Sequence, residues 1–169
     1  WVNSTHLLVV ADTAPAGELG FFLAPADGLG SIEEIGGPAD EDTVGFGRGG
    51  HDMILSPDGS SIVWTDHDAR MWLAALRSPT ERTLLAEGVT FAPFGGSPAV
   101  FSPDSTHLAI NMNTRANMAA IFLYKLATDD TPAAGPTQLT EGRSNCWAPV
   151  WTPSALFFLS DRELHNEVG

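Results

Sequence analysis

Apolar and polar residues alternate along much of this chain in short runs bounded by Ser, Pro, Asp and Gly. A period of two predicts half-buried β-strands, and the breakers between the runs predict turns. Ile62 and Trp64 fall on one face of a predicted strand, as do Leu108, Ile110 and Met112, and Leu156 and Phe158. The 3.6-residue period of an amphipathic helix is absent, and the spaced Gly and Pro residues would break helices of solenoid length.

The runs repeat. Leu55-Ser56-Pro57-Asp58-Gly59 leads into Ser60-Ser61-Ile62-Val63-Trp64, and Phe101-Ser102-Pro103-Asp104-Ser105 leads into Thr106-His107-Leu108-Ala109-Ile110. Ser suits the first position of a type I turn, Pro presets φ at the second, and Gly suits the fourth. Ser105 replaces that Gly, where a positive φ helps but is not obligatory. Trp1 and Leu8 share the spacing of the anchors, with a degenerate turn at Val2 to Thr5. A fourth copy starts at Trp151, with the shorter turn Thr152-Pro153-Ser154-Ala155. Trp1, Leu55, Phe101 and Trp151 are thus read as equivalent anchors.

Each unit continues with a third strand, at Glu18 to Ala24, Arg70 to Leu76 and Ala119 to Leu126. Turns are predicted at Pro25 to Gly28, Arg77 to Thr80 and Ala127 to Gly135. Short fourth strands follow at Ile32 to Ile35, Thr83 to Ala86 and Thr137 to Thr140. Four short strands recurring every ~40–50 residues are the signature of propeller blades. The expected fold is all-β: a partial β-propeller of about three four-stranded blades plus the opening strands of a fourth. The blades are expected at about 1–46, 47–92 and 93–143, with an incomplete one at 144–169. A propeller protects its blade edges by closing radially. The remaining blades are therefore expected from a larger chain or from self-association.

Composition narrows the function. The 169 residues carry 8 Lys+Arg against 21 Asp+Glu, a formal charge of −13, and 43% are hydrophobic. That is enough apolar material for a core. The charge and the lack of a basic stripe argue against nucleic acid and against an acidic membrane surface. No apolar run approaches the ~18 residues of a membrane-spanning helix. The lone Cys146 excludes an internal disulfide and is expected as a small buried hydrophobe. The chain starts at Trp1 without an initiator Met, which suggests processing or a segment of something longer.

Candidate chemistry is sparse. Gly95-Gly96-Ser97-Pro98-Ala99 is one residue off the nucleophile elbow, and Pro98 lacks the N–H that such a site uses for its oxyanion. His51-Asp52 and Asp66-His67-Asp68 lack zinc-ligand spacing, and the latter is expected to be a solvated hairpin tip. Ser160, Asp161 and His165 invite a triad reading, but three neighbours along one strand end point in different directions. Asp40-Glu41-Asp42 lacks the calcium-loop pattern. Asn3-Ser4-Thr5 matches a glycosylation sequon without a secretion signal beside it. Trp64, Trp72, Trp147 and Trp151 are expected to pack blades. No catalytic residues, metal or cofactor are expected on this chain. The nominated surface is the set of loops entering inner strands, which border a propeller's central channel: Arg48 to Asp52, Phe94 to Ser97 and Arg143 to Cys146. Its candidate substrate-channel residues are Arg48, His51, Asp52, Arg143 and Asn145, the arginines being suited to a peptide carboxylate.

The Ser-Pro-Asp-Gly units and the closing Phe158-Leu159-Ser160-Asp161-Arg162 resemble the TolB-like propeller repeat, shared by TolB, prolyl-oligopeptidase-type proteases and tricorn-like serine proteases. Three segments are most similar to the second propeller of the tricorn-like group. They are Trp64-Thr65-Asp66 through Met71-Trp72-Leu73, Ile121 to Leu126 with Gln138 to Gly142, and Ala148-Pro149-Val150-Trp151 through Arg162. The resemblance covers most of residues 50–165 and, more faintly, 1–49. The first unit departs from it by losing Ser-Pro-Asp-Gly, and the fourth by its shortened turn. The resemblance implies a non-catalytic propeller segment that guides or gates oligopeptides toward a serine active site outside this chain, in the cytoplasm. The alternatives are a TolB-like protein-binding module, which would be exported to the periplasm, the propeller lid of a prolyl-oligopeptidase-type hydrolase, and a scaffold closed by self-association.

Overall fold

The computed structural model describes residues 1–12, 19–36, 53–66, 68–91, 96–128 and 132–162. They form thirteen strands in four antiparallel sheets. The first sheet holds β1 (His6–Asp12), β2 (Leu19–Pro25) and β3 (Glu33–Gly36). The second holds β4 (Ile54–Leu55), β5 (Ser61–Thr65), β6 (Met71–Ala75) and β7 (Ser78–Ala86). The third holds β8 (Ala99–Phe101), β9 (His107–Asn113), β10 (Ala119–Lys125) and β11 (Ala134–Gln138). The fourth pairs β12 (Cys146–Trp151) with β13 (Leu156–Ser160). Each sheet is a meander of sequential strands, as blades require.

The sheets stack in chain order, face on face. Leu23 of the first sheet packs with Ile62, Trp64, Ala74 and Leu76 of the second. Val63, Met71 and Leu85 on the other face of the second sheet pack with Phe101, Leu108, Ile110 and Leu126 of the third. Ala109 and Ile121 then meet Cys146, Trp151 and Leu156 of the fourth. The second strand of the second and third sheets is thus buried on both faces, which explains the unbroken run Ile62-Val63-Trp64, exposed by no more than 2%. Val150, Phe157 and Leu159 turn away from the third sheet and stay 55–60% exposed. Val150 lies opposite Phe157 in the β12–β13 register, as Val100 lies opposite Ala109 in β8–β9. In the third sheet that pair is covered by the fourth.

The repeated turns share one hydrogen-bond pattern. Asp58 Oδ1 accepts from Ser56 Oγ at 2.6 Å and from Ser60 N and Ser60 Oγ at 2.9 Å. Asp104 Oδ1 accepts from Ser102 Oγ at 2.6 Å, Thr106 Oγ1 at 2.8 Å and Thr106 N at 3.1 Å. The serine hydroxyls accept from Ser61 N and His107 N, each at 2.9 Å. Successive turns also touch. Asp58 N donates to Ser105 Oγ at 3.2 Å, and a Cβ on Gly59 would sit 2.7 Å from Val2 O. Ser105 adopts φ +59°, so the left-handed conformation expected to be optional is used here even by a residue with a side chain.

Four sequence expectations need correction. In the first unit, Asn3 Oδ1 accepts from Thr5 N, Thr5 Oγ1 and His6 N, each at 2.9 Å. Asn3 therefore stands where Asp58 and Asp104 stand, and the unit starts one residue earlier than the Trp1–Leu55 equivalence predicts, so that Trp1 falls at the position of Ser56. Trp1 is no core anchor: it is 78% exposed. The predicted turn at Arg77 to Thr80 is instead a two-residue hairpin at Leu76-Arg77, closed by the Ala75–Ser78 pair. A register shift between Ala74 and Ala75 absorbs the extra residues of β7, which is how a strand accommodates Pro79. In the third unit the last strand starts earlier than the predicted Thr137, because Lys125 already pairs with Ala134. Finally, Asp66 is not a solvated tip residue. It is buried, and its carboxylate accepts from Arg70 Nε at 2.8 Å, Trp72 Nε1 and Asp68 N at 2.9 Å, and Arg70 N at 3.0 Å. His67 lies outside the described residues.

Candidate functional site

The nominated loop that the structure describes in full runs from the end of β11 to the start of β12. It is anchored on the third sheet before it turns outward. Leu139 N donates to Ile121 O at 2.8 Å, and Thr140 Oγ1 accepts from Ile121 N at 3.0 Å. Gly142 then turns the chain at φ +69°, where a Cβ would press to 3.1 Å on Thr114 Cγ2. A left-handed turn this close to a neighbour favours glycine. Arg143 and Ser144 follow at the surface.

Asn145 is committed on both sides. Its Oδ1 accepts from Ala119 N at 3.0 Å, at the start of β10. Its backbone N–H and its Nδ2 each donate to the Asp161 carboxylate at 2.7 Å. One side chain thus ties the third sheet to the fourth. Cys146 is buried behind it, with Sγ 3.6 Å from Ser160 Oγ and 3.9 Å from Ser144 O.

Between the third and fourth sheets this arrangement leaves a cavity of about 440 Å³. Leu139 and Phe158 give it an apolar wall, and Arg143, Ser144, Ser160 and Arg162 give it a polar one. Glu141 also lines it, 3.9 Å from Arg143 Nε, with both side chains largely exposed. Such a pair is screened by water and leaves the guanidinium available to a better partner. Among the described residues no carboxylate pairs with Arg162.

Of the five candidate residues, Arg143 and Asn145 stand in this loop. Arg143 lines the cavity and Asn145 is the tie behind it. Arg48, His51 and Asp52 lie outside the described residues, as does Phe94 of the second loop. In that second loop Ser97 Oγ donates to Ala99 O at 2.7 Å. No group of three His, Cys, Asp or Glu side chains among the described residues is arranged to hold a metal ion.

Two features escaped the sequence reading. Arg162 and Ser160 join Arg143 and Ser144 only because β13 brings its end back beside the start of β12. The Asp66 clasp is the other. Burial opposes ionisation of its carboxyl, but the hydrogen bonds from Trp72, Arg70 and Asp68 outweigh burial and hold it below the usual Asp value. Arg70 and Arg82 lie 5.7 and 4.9 Å from the centre of the Trp72 ring. The sequence signal was Asp, then Arg four residues on and Trp six on.

No family model matches this sequence, and no curated protein matches it significantly. Solved structures do. The protein assigned as TolB from Agrobacterium tumefaciens superposes with a TM-score of 0.54 at 17% identity, covering 94% of this chain and 54% of that one. TolB from Acinetobacter baumannii gives a TM-score of 0.56 at 18% identity, covering 94% of this chain and 37% of that one. A puromycin-hydrolyzing peptidase from Mycobacterium tuberculosis aligns over 95% of this chain and 35% of its own, with a TM-score of 0.33 at 12% identity, too low to carry an argument. The fold is therefore a TolB-like β-propeller segment. The chain spans 54% and 37% of the two TolB structures it matches.

Proposed function

We propose that this chain is a non-catalytic propeller segment of a tricorn-like serine protease, guiding or gating oligopeptides toward a catalytic domain outside it. The observation that carries the reading is the pairing of a blade stack with a cavity beside an inner-strand loop. That cavity offers apolar and guanidinium surface, the mixture a peptide presents in complement. The described residues spend their buried carboxylate, Asp66, on holding a hairpin rather than on facing a cleft. The reading implies a cytoplasmic protein whose chemistry lies on another domain.

The test is hydrolysis of fluorogenic oligopeptides by the whole natural protein that contains these residues. Cleavage abolished by a serine-directed reagent supports the reading. A whole protein that cleaves nothing, with or without the reagent, overturns it. The likeness to the two TolB structures favours a second reading, a protein-binding propeller module of the periplasm. An export signal in the whole protein, together with absent peptidase activity, would select it.

A further inference from the structure

We propose that the cavity between the third and fourth sheets binds the free carboxyl terminus of a peptide ending in an apolar residue. This rests on the reading above that the segment handles peptides, and it names the part of the peptide that is read. The chain is strongly acidic, yet two of its eight basic residues, Arg143 and Arg162, line this one cavity. Neither is held in a close ion pair among the described residues. Arg143 reaches Glu141 only at 3.9 Å, and Arg162 has no carboxylate partner among the described residues. A guanidinium is planar and matches a carboxylate with two parallel hydrogen bonds.

Leu139 and Phe158 line the same cavity and stand 48% and 44% exposed. They make an apolar wall beside a cationic one, which fits an apolar side chain carried on the residue that bears the carboxylate. The hydroxyls are already turned to the protein: Ser160 Oγ donates to Asn145 O at 3.1 Å and accepts from Arg162 N at 3.2 Å. That second bond fixes the backbone of Arg162 at the rim. An inorganic anion would use the guanidiniums and leave Leu139 and Phe158 wet, so the apolar wall favours an amphipathic carboxylate.

The probe is a fluorescein-labelled tetrapeptide ending in Phe, prepared as the free acid and as the C-terminal amide, with binding followed by anisotropy. The free acid binds ~10-fold or more tighter than the amide, since a charge-assisted pair is lost with the carboxylate. Arg143→Ala and Arg162→Ala each weaken the free acid ~5–20-fold and leave the amide unchanged. Phe158→Ser weakens a Phe-ending peptide more than a Gly-ending one. Both arginines are exposed, so melting curves of these variants stay at the parent value. Arg77→Ala, in the second-sheet hairpin, leaves binding unchanged. Equal binding of acid and amide overturns the carboxylate site and leaves peptide handling standing. Binding indifferent to Arg143 and Arg162 places the carboxylate elsewhere and also overturns it. If neither peptide binds, the site is refuted, while the protease reading is judged separately by hydrolysis in the whole protein.

Discussion

Replacing Asp66 with Ala should be among the most damaging single polar substitutions in the described part of this chain. Its carboxylate is fully buried, while Arg70 beside it keeps 32% of its side chain exposed. The substitution leaves Trp72 Nε1, two backbone N–H groups and Arg70 Nε without their acceptor. Breaking a buried ion pair from one side costs about 3–5 kcal/mol, and the partial exposure of Arg70 lets water recover part of that. The expected loss is about 2–4 kcal/mol, which for a chain of this size lowers Tm by roughly 5–12 °C. Urea unfolding and thermal melts followed by circular dichroism measure it. Asp68 also meets Arg70, at 2.9 Å, but its side chain is 55% exposed. Asp68→Ala should therefore cost no more than ~0.5 kcal/mol. A loss below ~1 kcal/mol for Asp66→Ala, or equal losses at both positions, would refute the assignment of the clasp.

Further predictions follow from the turns and the inter-sheet contacts. Gly59→Ala adds a left-handed penalty to a 2.7 Å clash with Val2 O and should cost about 2–3 kcal/mol, whereas Gly28→Ala, with open space around it, should cost about 1 kcal/mol. Paired denaturation curves separate clash from strain. Hydrogen bonds from the Ser102 side chain and the Thr106 backbone and hydroxyl lower the Asp104 pKa to about 2. A folded pKa below the unfolded one stabilises fully above the unfolded value, so this contribution disappears as pH falls from ~4 toward 2. A carboxyl titration by NMR with a midpoint near the ordinary Asp value would contradict it. Asn145→Ala strands Ala119 N and Asp161 and should cost about 1–3 kcal/mol. Hydrogen exchange in β12 and β13 should rise more than in β5 and β6. The charge of −13 predicts a higher Tm in ~1 M salt than at low salt, through screened self-repulsion. An unchanged melt would remove that argument.

Strand positions were legible because two signals coincide in each unit. Period-two alternation marks Ile62/Trp64 and Leu108/Ile110, and the Ser-Pro-Asp turn sets their phase. Where one signal fades, the reading slips. In the first unit the visible cue was Trp1, an apolar residue at the right spacing. The informative cue was Asn3-Ser4-Thr5-His6-Leu7 beside Asp104-Ser105-Thr106-His107-Leu108, in which an amide oxygen replaces a carboxylate. Pro79 looked like a turn residue, because register shifts depend on the partner strand and not on local composition. Asp66 looked like a solvated turn, because its burial comes from Trp72 and Arg70 folding back over it. At the candidate site Arg143 and Asn145 could be named from the loop that holds them. Arg162 could not, since its proximity to Arg143 depends on the return of β13.

The sheets of this chain pack principally on their immediate neighbours in sequence. Free energy in such an array behaves like magnetisation in a row of coupled spins, with an intrinsic value for each sheet and a coupling for each boundary. The second and third sheets have two boundaries each, and the outer two have one boundary each within this chain. Protection against exchange should then grade from the middle outward rather than vanish at one global threshold. A defect confined to one boundary, such as loss of the Asn145 tie, lowers the plateau on its far side and leaves the other side nearly untouched.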